Sequence, residues 1–202
     1  MRRIIATIAV LFFIQIAVAF PAKAEKLRHT TTPATPVWKQ VGRQALWLVN
    51  WDWKLALGGW TVRFHPGRLD VLGITTLDES RVDIWVRRKQ SPESVAGTIV
   101  HELAHAFDHK YLTFDMRKAW IAARNLPPDT RWYTPCSGCR DRGLCDDCAD
   151  YHFGSGDFAE CVSWTLQGPA YEFQSLLGPP PNEAQQALIR QWLTELPQAG
   201  GK

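Results

Sequence analysis

The chain has 202 residues, 46% of them hydrophobic and 21% charged, with five cysteines and a formal net charge of +3. The positive excess lies at the start: without residues 1–24, which hold Arg2, Arg3 and Lys23, the net charge is zero. No basic field then remains to suggest nucleic acid as a partner, and the 178 residues that follow suit one domain with a real core.

Arg2 and Arg3 precede an apolar run from Ile4 to Phe20, then Pro21 and the small-x-small triplet Ala22-Lys23-Ala24. This is the pattern of a signal peptide cleaved after Ala24. Retained, the same segment would be an N-terminal anchor and the only link to a membrane. Both readings place residues 25–202 outside the cytoplasm, secreted or extracytoplasmic. Residues 25–36, with three consecutive threonines and two prolines, read as a flexible leader before a single domain over 37–202.

A first helix is expected over about residues 37–50, where Val37, Val41, Leu46 and Leu48 share a side. Three strand-like stretches follow, at 60–65, 70–77 and 81–87, with turns at Pro66-Gly67 and Asp78-Glu79-Ser80. In the third, Val82, Ile84 and Val86 alternate with Asp83, Trp85 and Arg87, the pattern of a half-buried strand and a natural edge for an extended peptide. Ten tryptophans suit the core, although Trp47, Trp51 and Trp53 are crowded enough to hint at an exposed aromatic surface too.

Ser91-Pro92-Glu93 opens a helix well: a serine N-cap, proline at the first helical position, an acid in the first turn. Val95, Ile99, Leu103, Ala106 and Phe107 give it an apolar face. That helix carries His101-Glu102-Leu103-Ala104-His105, an HExxH. A spacing of four brings both imidazoles to one face, a turn apart, where they can grip one Zn²⁺. Glu102 lies about 100° further round, within reach of a metal-activated water without being a ligand. Two histidines on an ordinary core-edge helix would be the plainer explanation.

A catalytic zinc usually takes three protein ligands. The extended motif HExxHxxGxxH would need Gly at 108 and His at 111, where this chain has Asp108 and Tyr111. His109 is a full turn beyond His105 and would strain to reach the same ion. After a helix over residues 115–124, stopped by Pro127-Pro128, and a loop rich in Cys, Gly and Asp, a short helix is expected at 158–166. It carries Glu160 between Phe158, Ala159, Cys161 and Val162. Metal ligation would explain a carboxylate there; a helix N-terminal charge would explain it too. Asn182 caps a final helix after Pro179–Pro181, with Ala184, Leu188, Trp192 and Leu196 at helical spacing.

His-Glu-Leu-Ala-His-Ala-Phe-Asp followed later by Asp-Phe-Ala-Glu resembles the zincin metallopeptidases whose third ligand is glutamate, the gluzincin arrangement. The Phe-Ala-Glu piece is similar to that in the catalytic domain of anthrax lethal factor. The resemblance covers residues 80–110 and 150–167. It implies an α+β, zincin-like fold: a small twisted sheet over the HExxH helix and a mostly helical C-terminal part. It also implies zinc held by His101, His105 and Glu160, with Glu102 as general base. A Tyr or His often stabilises the oxyanion in such families, and here Tyr151 and His152 compete for that role.

Cys136-x-x-Cys139 and Cys145-x-x-Cys148 form a cysteine-rich insertion, 136–148, with Cys161 apart as a buried thiol. Four thiolates could bind a structural zinc; in an exported chain they could equally form two disulfides. The reading favoured by all this is a monomeric, exported zinc peptidase acting on proteins or peptides. The rivals are a non-catalytic extracytoplasmic binding module on a metal-stabilised fold, and an interaction domain built on a four-cysteine zinc. Intact Glu102 argues against the binding module, and metal stoichiometry separates all three.

Overall fold

Ser91 and Pro92 begin the longest helix where the sequence says they should. The Ser91 side chain accepts the Ser94 N–H, and the helix then runs from Pro92 to Tyr111. The computed structural model describes residues 35–133 and 149–200. The expected export signal, almost all of the leader, and Cys136, Cys139, Cys145 and Cys148 lie outside the described residues. Among the described residues no helix is long and apolar enough to cross a membrane.

In chain order the elements are α1 (Val37–Leu48), α2 (Trp53–Leu57), β1 (Thr61–Pro66), β2 (Gly73–Thr76), β3 (Arg81–Val86), α3 (Pro92–Tyr111) and α4 (Phe114–Ala123). A single 3₁₀ turn, Asp150–His152, precedes α5 (Gly154–Gln167) and α6 (Glu183–Gln198). The fold is α+β with one small mixed sheet, and the part after α3 is helical. α2 was not foreseen; Asp52 caps it by accepting the Leu55 N–H. α5 begins four residues before the expected start. α6 opens on a full capping box between Asn182 and Gln185.

The sheet order is β1-β3-β2, with β1 parallel to β3 and β2 antiparallel to it. This corrects one expectation. Residues 81–87 were to offer an edge to an extended peptide, but β3 is central and both of its edges are paired. Among the described residues the free edges belong to β1 and β2. Val82, Ile84 and Val86 face the core, while Asp83 and Trp85 alternate to the outer face. There Asp83 accepts from His65 and Arg81, and His65 stacks on Trp85.

α3 is more deeply set than a helix with one apolar face. Ala96, Val100 and Ala104 are as buried as Val95, Ile99 and Leu103, because the sheet, α1 and α5 pack around it. Trp120, Phe158, Trp132 and Trp192 form an aromatic cluster joining α4, α5 and α6. Beside it the fully buried Asp157 is paired with Arg124 at 2.8 and 2.9 Å and also accepts from Trp120 and Ser175. Trp53 is buried and Trp51 packs edge-on against Phe107, so of the crowded trio only Trp47, 90% exposed, lies on the surface.

Candidate metal centre

The spacing of four on α3 does what helical geometry requires. His101 and His105 lie with ring centroids 4.8 Å apart and their Nε2 atoms 3.1 Å apart. The third corner is Asp150, in the 3₁₀ turn before α5. Its Oδ2 is 2.9 Å from His101 Nε2 and 2.9 Å from His105 Nε2. Tetrahedral zinc with bonds of about 2.0–2.1 Å places its ligand atoms roughly 3.3 Å apart. A triangle with sides of 2.9, 2.9 and 3.1 Å is therefore slightly tight but of the right shape and donor chemistry to hold a metal ion.

Glu160, the expected third member, is not brought into this triangle. The structure sets its carboxylate on the far side of His101, with Oε1 2.8 Å from Nδ1. Two more donors hold it there: Tyr171 O–H to Oε1 at 2.7 Å and the Gln174 main-chain N–H to Oε2 at 2.6 Å. The physical reason is position along α5, which buries Glu160 completely beneath His101. An acceptor at Nδ1 keeps the ring proton on that nitrogen and leaves the Nε2 lone pair for the group. His109 is exposed at the far end of the cleft, and Asp108 is occupied by Arg117 and Trp132.

Glu102 leaves α3 on the side facing β2. It is buried, and its Oε2 lies 2.7 Å from Thr75 Oγ1. Of the two candidates for oxyanion stabilisation, Tyr151 is at the site, its ring edge-on to His101 with centroids 5.7 Å apart. His152 is exposed and does not line the cleft.

No family model, curated protein or solved structure matches this chain. The site must be read from its own chemistry.

Its electrostatics favour positive charge. Burial disfavours a charged His101, but Asp150, with Glu160 and Glu102, outweighs it and holds the imidazole well above the ordinary histidine range. Burial likewise opposes ionisation of Asp150, yet His101 and His105 keep its carboxyl well below the usual range. Tyr151 is pushed up by burial first, then by the charges of Asp150, Glu160 and Glu102, so its phenol remains a donor.

These groups line one cleft of about 1100 Å³. α3 forms its floor from Glu93 to His109, β2 and the loop before it form one wall, and Asp150, Tyr151 and Tyr171 stand on the other. At 1.5 Å per residue that floor is about 24 Å long, room for roughly seven residues of extended chain. His101 and His105 sit between its ends.

Sequence reasoning missed Asp150. The signal available was an acid followed at once by Tyr151, in a stretch with no helical or strand period from which its direction could be measured.

Proposed function

We propose that this chain is an exported zinc-dependent peptidase that hydrolyses internal peptide bonds of extended polypeptides. The observation that carries this reading is the convergence of His101, His105 and Asp150 on one point, with Glu102 beside them in the same cleft. A zincin-like character for the small sheet and the HExxH helix is part of the proposal, as is export, which rests on the N-terminal pattern of residues 1–24.

His101, His105 and Asp150 would hold the metal, which when bound supplies Lewis acidity to the scissile carbonyl and to the attacking water. Glu160 orients His101 from behind, backed by Tyr171 and Gln174. Glu102 takes a proton from the attacking water and returns it to the leaving amine. Tyr151, kept as a phenol by its surroundings, donates to the carbonyl oxygen as charge develops there. β2, an unpaired edge along the cleft, takes the role of pairing with substrate backbone that β3 cannot fill. A cleft that continues on both sides of the histidines suits an internal bond better than a chain end.

The test is Glu102→Gln, which keeps size and hydrogen bonding but cannot accept the proton. Zinc content should match wild type, while chelator-sensitive cleavage of casein should fall by about 10²–10⁴-fold. Undiminished, chelator-sensitive cleavage by the variant would refute the assignment of the base.

A further inference from the structure

Among the described residues, the Glu102 carboxylate has one hydrogen-bonding partner, and it is not on its own helix. Thr75 of β2 is buried, with Oγ1 2.7 Å from Glu102 Oε2 and 2.8 Å from the main-chain carbonyl oxygen of Glu102. A hydroxyl has one proton to give, and an ionised carboxylate is the stronger acceptor. The Thr75 proton therefore goes to Oε2. Oε1 has no partner among the described residues, yet it is not one of their buried side-chain atoms left unsatisfied; of these only Gln167 Nε2 is. Oε1 thus reaches the space of the cleft that both Glu102 and Gly73 line.

Gly73 explains how the carboxylate fits against the strand. Alternation puts residues 73 and 75 on the same face of β2. A Cβ at position 73 would stand 2.5 Å from both Cγ and Oε1 of Glu102, closer than non-bonded atoms approach. The edge strand thus sets an empty position and a hydroxyl side by side, and the carboxylate lies across the two.

We propose that Thr75 is the positioning residue for the general base: it pins Oε2 to the edge strand and thereby makes Oε1 the oxygen that exchanges the proton. This rests on Glu102 being the base. The water proton goes to Oε1 and leaves from Oε1 to the amine, while Thr75 donates to Oε2 throughout and is itself unchanged. Gly73 leaves room for the Oε1 end of the carboxylate beside the strand.

The experiment compares Thr75→Val, Thr75→Ser and Glu102→Gln in the full, zinc-loaded protein, with fluorescein-labelled casein as substrate. Valine keeps the branched shape and loses the hydroxyl; serine keeps the hydroxyl. Thr75→Val should lower kcat by about 10–100-fold with KM and zinc content unchanged, and Thr75→Ser should recover most of the loss. Wild-type kcat in Thr75→Val beside an inactive Glu102→Gln would overturn the proposal while leaving the base in place. Equal losses in the valine and serine variants would overturn it too, since packing and not the hydroxyl would then matter. Full cleavage by Glu102→Gln would remove the base itself and Thr75 with it. A crystal structure of zinc-loaded Thr75→Val decides independently of any substrate: the Glu102 carboxylate should turn away from β2, and an unmoved carboxylate overturns the proposal.

Discussion

Asp150 and Glu160 both touch His101, and replacing them should weaken zinc binding to clearly different degrees. Asp150 Oδ2 faces Nε2 of both histidines at 2.9 Å, whereas Glu160 Oε1 meets Nδ1 of His101 at 2.8 Å, on the opposite edge of the ring. In Glu160→Gln the amide oxygen can still accept from Nδ1, so the tautomer survives and the charge behind it is lost. Outer partners of this kind are worth about 10–100-fold in metal affinity, or roughly 1.4–2.7 kcal/mol. Asp150→Ala removes a proposed ligand. If the ~10–16 kcal/mol of a four-ligand zinc site is divided evenly, one ligand carries about 2.5–4 kcal/mol, or roughly 10²–10³-fold. The assay is competition for zinc against a chromophoric chelator at fixed pH, with circular dichroism to establish that each variant is folded. Wild type, Glu160→Gln and Asp150→Ala should rank in that order of affinity. If removing Glu160 strips the metal while Asp150→Ala keeps it, the reasoning is refuted and Glu160 belongs on the ion, as the gluzincin resemblance implies.

Two further predictions concern the frame that holds this site. Arg124→Met should destabilise the protein by about 3–5 kcal/mol in urea unfolding, because it strands the fully buried Asp157 without its cation; a loss below about 1 kcal/mol would show that Trp120 and Ser175 suffice. On the outer face of the sheet, burial opposes ionisation of Asp83, but hydrogen bonds from His65 and Arg81 outweigh it and hold its carboxyl below the ordinary 3.8. The stabilisation by an ionised Asp83 is therefore fully present above that ordinary value and is lost as pH falls through the lower folded value. Asp83→Asn should be less stable than wild type at mildly acidic pH, and the gap should close on further acidification; a gap that is constant with pH would exclude this linkage.

Local chemistry was the legible part of this sequence. Ser91-Pro92 marks the start of α3, Asn182 that of α6, and strict alternation marks β3, because capping and the two-residue period act within a few residues of themselves. The pairing of histidines at 101 and 105 is of the same kind. Strand order is not. Residues 81–86 have the composition of either an edge or a central strand, and only the joint packing of β1 and β2 against them decides. Likewise, Glu160 stands out in the sequence as a carboxylate among apolar neighbours and reads there as the third metal ligand. Which side of His101 it meets depends on how α5 lies beneath α3, and no spacing within α5 encodes that.

Asp150 meets the histidines with its side chain, but main-chain contacts around it put it there, which is why side-chain spacing could not find it. α5 starts at Gly154 and not at residue 158, and its two early glycines are what a composition reading treats as breakers. In the fold they permit close approach. A Cβ at Gly156 would collide with the Asp150 carbonyl, and one at Gly154 would stand 2.6 Å from the Trp132 ring. With both positions bare, the first turn of α5 abuts the 3₁₀ turn directly. Main-chain bonds from Gly154 to Arg131 (2.9 Å) and from Ser155 to Trp132 (2.8 Å) tie the start of α5, and one from Leu176 to Tyr151 (3.0 Å) ties the 3₁₀ turn itself. Asp150 is thus carried by a segment tied to the body of the fold immediately beside it. A candidate ligand delivered this way needs no helical register with His101 and His105, only a backbone held beside them.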